Sequence, residues 1–131
     1  MKLWPNMYLL IDLSKNNKIK LKLFDIKGKI TSEDYNAKNR DLLVSLDTFF
    51  IQNLVKVKQI KGIAVVVGEG SFTSTRIATT VANVFCYVHG IKVIGVNVEI
   101  VDNYPELISI FDNTEKSNYV SASYSGKPNI G

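Results

Sequence analysis

The sequence predicts an α/β domain in which helices cover a mixed five-stranded sheet, with the elements in the order β-β-β-α-β-α-β. Three observations predict this class. The first apolar segments are linked by short turns, which is typical of antiparallel strands. Two later segments are almost continuously apolar, as buried parallel strands are. Each of these two follows a stretch with helical spacing, and a helix is the usual connection between parallel strands.

The opening of the chain predicts three antiparallel strands. Residues 7–13, MYLLIDL, form an apolar run that is typical of a buried strand. Residues 18–26, KIKLKLFDI, begin with alternating lysines and apolar residues, as a strand with one buried face does. A glycine-containing turn then leads to a third strand near residues 29–36.

The next segment predicts a helix over residues 41–57, with Asn39 or Asp41 as its N-cap. Beside its main apolar stripe the helix carries a second stripe on another side. A helix that is apolar on two sides either lies inside its own fold or offers one side to a partner. In a domain this small we expect the second stripe to bind a partner. That stripe comprises Val44, Ile51 and Val55.

A strand–helix–strand unit follows. Strands are predicted over residues 61–68 and 91–98, and between them a helix over residues 73–89 that Gly90 ends. One side of this helix is bulky, and the other carries small side chains that allow another helix to approach closely. The bulky side comprises Ile77, Val81, Val84, Phe85 and Val88. The small-residue side comprises Thr75, Thr79, Ala82 and Cys86.

Beyond residue 98 the pattern weakens. We therefore predict a domain over residues 1–98 and a short extension over residues 99–131. The stretch PELISIFDN is compatible with a short helix or with a strand. The end of the chain is rich in Ser, Gly and Pro and is expected to be extended or loose.

Composition and charge indicate in which cellular compartment the protein is expected and which classes of partner it could bind. Residues 1–61 carry twelve Lys and Arg and six acids, a charge of +6, whereas residues 62–131 carry four and six, a charge of −2. This asymmetry indicates either a surface for nucleic acid or an acidic partner, or a solvated lysine-rich face. The single cysteine excludes an internal disulfide, and no apolar run approaches the ~20 residues of a membrane span. We expect a cytoplasmic protein with no membrane contact.

The stretch GEGSFTSTR, residues 68–76, is a glycine-rich turn between a strand and a helix. Backbone N–H groups and the positive end of a helix favour an anion at such a turn. The stretch lacks the lysine of a Walker sequence and the third glycine of a dinucleotide fingerprint. A phosphate site and a tight turn that only orients the helix both remain open. The candidate phosphate-facing residues are Gly68, Gly70, Ser71, Thr73, Arg76 and Asp12.

No combination of residues predicts catalysis or a metal site. The lone histidine, His89, lies three residues after Cys86, but an apolar segment raises the pKa of a thiol and disfavours a nucleophilic pair. Potential metal ligands are neither of the right type nor grouped. We expect no catalytic residue, no metal and no cofactor.

Residues 63–98 resemble the signature of the TsaB (YeaZ-like) proteins, in which a strand leads to G-P-G-S-F-T-G-L-R-I, a small-residue helix and G-I-P-x-x-G-V-S. The opening LLIDLS also resembles the family's I-D-T-S strand, and the resemblance covers roughly the first hundred residues. Three positions depart from the family pattern. Glu69 replaces the proline between the glycines, Ser74 replaces the glycine after the threonine, and Leu13 replaces the threonine of the opening.

The resemblance implies one half of the actin/Hsp70-like (ribonuclease H-like) fold and a non-catalytic scaffold subunit. Proteins of this family bind a TsaD (Kae1-like) catalytic subunit in an assembly that attaches threonylcarbamoyl to the adenosine beside the anticodon of tRNA. Two helices form most of their contact surface. Here these correspond to the stripe Val44, Ile51 and Val55 and to the small-residue side of the second helix. A TsaE-like ATPase, a homodimer through the same helices and a direct tRNA contact are further partners to be tested.

The resemblance also implies a chain shortened to its N-terminal domain. Nucleotide in this fold class lies between two halves, so an independent ATPase is not expected. Older descriptions of the family as glycoprotease-like find no support, since nothing in the sequence supplies a protease. The alternative is a small nucleotide- or RNA-binding module that uses the glycine turn, residues 68–73, and the basic strand with Lys18, Lys20 and Lys22.

Overall fold

The computed structural model describes residues 6–36, 41–68 and 72–115, with the backbone alone at Phe72. Within these residues the strands form a mixed sheet in the order β3-β2-β1-β4-β5. The strands are β1 (Met7–Asp12), β2 (Lys18–Phe24), β3 (Ile30–Asn36), β4 (Ile60–Val66) and β5 (Lys92–Val96). β1 pairs antiparallel with β2 and parallel with β4, so it joins an antiparallel half to a parallel half. The predicted mixed five-stranded sheet is confirmed.

The helices connect and follow these strands. They are α1 (Leu42–Asn53), α2 (Phe72–His89) and α3 (Tyr104–Asp112). Two single-turn 3-10 helices, Val57–Gln59 and Val98–Ile100, precede β4 and α3. In the part of the chain that the structure describes, no helix is both long and apolar enough to cross a membrane.

α1 begins where the sequence predicts but ends earlier. Asp41 is its N-cap, and the carboxylate accepts a hydrogen bond from the backbone N–H of Val44 at 2.8 Å. The predicted end at residue 57 is wrong because Leu54 adopts φ 57° and ψ 40°. The Leu54 N–H turns back to the carbonyl of Ile51 at 3.2 Å. A residue in the left-handed region ends a helix in this way.

α1 and α2 cover one face of the sheet. The larger core lies between these helices and the strands. The alternation in β2 explains its contribution, since Ile19, Leu21 and Leu23 are at most 2% exposed in this core. Side chains alternate between the two faces of a strand, so the lysines of β2 lie on the opposite face.

α3 covers part of that opposite face and builds a second core. Leu107 and Phe111 of α3 are buried there, and the ring of Phe111 stacks on Tyr8 of β1 with the centroids 4.9 Å apart. The PELISIFDN segment is therefore a helix. The predicted boundary at residue 98 does not follow this packing, because α3 lies beyond it and supplies part of the core.

Candidate docking surface and glycine turn

The small-residue side of α2 faces the sheet. Thr75, Thr79, Ala82 and Cys86 are at most 4% exposed, and the Thr79 hydroxyl donates to the Thr75 carbonyl at 3.0 Å. Val55, just beyond the end of α1, is also buried. The prediction that these five residues form a partner surface is corrected, because they belong to the core of the chain itself.

Side-chain volume explains this orientation of α2. Branched side chains of the strands, among them Ile63, Val65 and Val93, share the larger core with Ala78, Ala82 and Cys86 of α2. Interiors are close-packed, so a helix that lies against bulky strand residues needs small residues on its inner side. The bulky side of α2 is consequently turned toward solvent.

The outer sides of α1 and α2 expose eight large apolar side chains, which we call the apolar helix face. Each of these side chains is between 45% and 79% exposed. The two helices contact each other on the same side of the sheet. Soluble monomers rarely expose large contiguous apolar patches, and such patches mark interaction sites. The apolar helix face comprises Leu43, Val44, Ile51, Leu54, Ile77, Val84, Tyr87 and Val88.

The sequence predicts only part of the apolar helix face. Val44 and Ile51 were predicted as partner-facing and are exposed. The sequence places Ile77, Val84 and Val88 on the bulky side of α2 but does not indicate that this side is exposed. Their spacing of seven and four residues places them on one side of a helix, which is the signal that could have found them.

The glycine turn is described at its edges. Gly68 adopts φ 84°, a conformation that favours glycine, two residues after the end of β4. Gly70 and Ser71 lie outside the described residues. Thr73 lies in the first turn of α2, not before the helix as a cap would. Thr73 and Arg76 are exposed and line a shallow groove with Ile77, Thr80 and Val81.

Asp12, the other candidate phosphate-facing residue, ends β1 beside the turn, since β1 and β4 are neighbouring parallel strands. Its carboxylate is largely buried and accepts hydrogen bonds from Ser14, from the backbone N–H at 2.9 Å and from the hydroxyl at 2.5 Å. The side chain therefore caps the turn that follows β1. This is an architectural role of short polar side chains.

The remaining chemically reactive groups do not form a site. Cys86 is buried, and burial raises the pKa of its thiol. His89 is exposed and stacks on Phe85 with the ring centroids 5.7 Å apart. Among residues 6–36, 41–68 and 72–115, no three His, Cys, Asp or Glu side chains are grouped as metal ligands would be.

Comparison with known proteins gives a family match and a shared fold. The family model described as "TsaD: tRNA N6-adenosine threonylcarbamoyltransferase" matches residues 33–101. YeaZ from Pseudomonas aeruginosa superimposes with a TM-score of 0.59 at 23% identity, over 70% of this chain and 44% of that chain. A second structure, of an uncharacterized protein with similarity to peptidase YEAZ from the same organism, gives the same score and identity over 70% and 43%.

The two solved structures share the fold of this chain. The chain spans less than half the length of the two solved structures, and at this identity they show the fold alone. That fold is the predicted actin/Hsp70-like half, with a mixed sheet and helices on both faces. No curated protein matches the chain in sequence.

Proposed function

Because the chain belongs to the family of TsaD, tRNA N6-adenosine threonylcarbamoyltransferase, we propose that it is a non-catalytic scaffold subunit in tRNA threonylcarbamoyladenosine formation. In this role it binds a TsaD/Kae1-like catalytic subunit through the apolar helix face. The observation that carries the proposal is the exposure of eight large apolar side chains on two adjacent helices. Burial of such a surface drives association at about 25 cal/mol per Å² of apolar area, less the cost of association.

The surroundings of the apolar helix face support a protein partner. Stable interfaces combine an apolar centre with a polar rim. On α2 the exposed apolar residues are interleaved with Thr73, Arg76, Thr80 and Asn83, which line shallow grooves along the helix. The face therefore offers both parts of such an interface.

The chemistry of the described residues supports a scaffold rather than an enzyme. The carboxylate of Asp12 already accepts two hydrogen bonds from Ser14. The thiol of Cys86 is buried and its pKa is raised, so little thiolate forms near neutral pH. These groups act within the fold, whereas the side chains of the apolar helix face are exposed rather than part of the described core.

Size-exclusion chromatography with light scattering tests the proposal. The chain is measured alone and in a mixture with the TsaD-like protein of the same organism. We expect a stable mixed complex. Ile51→Asp and Val84→Asp each place a charge on an exposed position of the apolar helix face and should abolish the complex while keeping the parental melting temperature. Ser109→Asp adds the same charge at an exposed position of α3, on the opposite face of the sheet, and should leave the complex intact.

The outcomes separate the proposal from its rivals. A complex that tolerates both Ile51→Asp and Val84→Asp would place the contact elsewhere and refute the docking surface. A homodimer that these variants disrupt, with no mixed complex, would make a second copy of the chain the occupant. A complex that needs a TsaE-like ATPase would make docking dependent on a third subunit.

The alternative of an RNA-binding strand has less support in the structure. Lys22 is 11% exposed, and its ammonium donates to the carboxylate of Asp102 at 2.5 Å. It also lies 3.5 Å from the hydroxyl of Tyr104. Because Lys22 is partly buried and paired, the lysines of β2 do not form a continuous cationic stripe.

A further inference from the structure

Lysines collect at one end of the sheet, and we call this surface the cationic end. The register pairs Tyr8 with Phe24 and Gly62 with Lys92, so β2 ends at the edge where β1, β4 and β5 begin. The turn after β2, the 3-10 helix before β4 and the first residue of β5 therefore share this edge. The cationic end comprises Lys27, Lys29, Lys56, Lys58, Lys61 and Lys92.

Few carboxylates oppose these lysines. Asp25 is buried in the turn, where it accepts hydrogen bonds from the backbone N–H groups of Lys27 and Lys29, both at 2.9 Å. Asp112 and Glu115 lie at the end of α3. Six lysines against these three carboxylates leave a charge of +3 in the described part of this end.

The other end of the sheet has a different balance of positive and negative side chains. Lys15, Lys18 and Arg76 lie there, in the turn between β1 and β2, at the start of β2 and in the first turns of α2, and Lys22 is paired there with Asp102. They are accompanied by five carboxylates at strand ends and helix starts. These are Asp12, Asp41, Glu99, Asp102 and Glu106. Among the residues that the structure describes, positive charge is therefore concentrated at one end of the sheet.

The cationic end is concave. Lys58, Lys61 and Lys92 line a cavity of about 470 Å³, and Phe111 also lines it. The ammonium of Lys92 donates to the Phe111 carbonyl at 3.0 Å, which holds this lysine in place at the end of α3. Asp112 also lines the cavity, so an anion is favoured on the side that Lys58 and Lys61 border.

We propose that the cationic end binds the phosphate backbone of RNA. From β2 to β5 the row of lysines spans three strand spacings, roughly 14 Å. A nucleic-acid duplex of the B-DNA type carries one phosphate per strand for about every 3.4 Å of its helix axis, so a surface of this width faces more than one phosphate. The choice of RNA among polyanions rests on the proposed role in tRNA modification.

Binding of a tRNA transcript, measured by fluorescence anisotropy from about 50 to 200 mM salt, tests this inference. Lys58→Glu/Lys61→Glu should weaken binding at least tenfold at the lower salt concentration. Loss of the two contacts should reduce the slope of log K against log salt by about 0.7–0.9 per contact. The matched control is Lys15→Glu/Lys18→Glu, which changes the net charge equally with two exposed lysines at the other end and should change affinity less than twofold.

Three outcomes would overturn the inference: no binding by the parent protein at low salt, equal losses in both double variants, and binding to anionic lipid vesicles without binding to the transcript. Ile51→Asp separates this test from that of the proposed function. It should abolish docking to the TsaD-like subunit and leave RNA affinity unchanged. Lysine-dependent RNA binding without a mixed complex would refute the scaffold role alone.

Discussion

Gly62 of β4 lies directly beneath the ring of Phe111 of α3. A Cβ atom at position 62 would come 2.5 Å from Cε1 and 2.6 Å from Cδ1 of that ring. The absence of a side chain at this position therefore allows α3 to approach the sheet. Phe111 in turn stacks on Tyr8. The absence of a Cβ atom at position 62 therefore allows the aromatic side chains of the second core to pack together.

Gly62→Ala should destabilise the fold by about 1–3 kcal/mol, because overpacking a close-packed core forces side chains or backbone to shift. Urea denaturation measures the loss. Phe111→Leu in the same chain should recover part of it, since a smaller side chain makes room for the methyl group. A Gly62→Ala protein as stable as its parent would show that α3 moves away from the sheet at no cost.

The pair Lys22–Asp102 should contribute stability with a defined pH dependence. The hydrogen bond from Lys22, and then its charge, lower the pKa of Asp102. Burial lowers the pKa of Lys22, but the hydrogen bond and charge of Asp102, with Tyr104, outweigh it and leave that pKa raised. The contribution is therefore complete between the unfolded pKa values, about 3.9 for Asp and 10.4 for Lys. It is lost as pH falls through the folded pKa of Asp102 or rises through that of Lys22.

Asp102→Asn tests this dependence in urea denaturation at several pH values. The loss should be about 0.2–1 kcal/mol near neutral pH, because the Asp102 carboxylate is largely exposed and its attraction is screened. The difference from the parent should vanish at acidic pH. In a Lys22→Met background, Asp102→Asn should have a smaller effect near neutral pH, because only the weaker partners Lys20 and Tyr104 remain. An equal loss there would assign the contribution to a partner other than Lys22.

The sheet could be predicted from the sequence because its signals are local. The alternation in β2 and the apolar run of β4 each follow from which faces of a strand are buried. The position of α3 has no such signal. Leu107 and Phe111 are four residues apart, as on one side of a helix, but nothing in the sequence shows which face of the sheet is uncovered. Gly62, which accommodates Phe111, lies between Lys61 and the apolar run of β4, and nothing in the sequence indicates its role.

The apolar helix face was harder to predict because both sides of α2 are apolar. Sequence spacing separates the two sides, but their orientation depends on the volume that the strand side chains leave. Ala82 and Cys86 fit against the sheet, whereas Val84 and Val88 would overfill that space. The larger residues therefore lie outside, although hydrophobicity alone assigns them to the core.

Ser45→Ala should leave stability unchanged or increase it by up to about 1 kcal/mol. Ser45 of α1 is fully buried, and its hydroxyl has no hydrogen-bond partner in the described part of the chain. A buried polar group without a partner costs free energy, and alanine is a better helix former than serine. Thermal unfolding measures the change. Ser45→Val is the control for space, and a loss on Ser45→Ala would reveal a partner for the hydroxyl.

Cys86 should react with thiol reagents only after unfolding. The side chain lies in the larger core, and burial raises the pKa of the thiol above its ordinary value. Labelling by Ellman's reagent near pH 8 should therefore be far slower than for a free thiol, and its rate should rise with urea as the unfolded fraction does.

The raised pKa of the Cys86 thiol also has a consequence for stability. Above about pH 8.5 the unfolded thiol loses its proton first, so this group favours unfolding as pH rises. Cys86→Ala should remove that part of the loss of stability at alkaline pH. For the labelling experiment, rapid reaction without urea would show that the thiol is accessible in the folded protein.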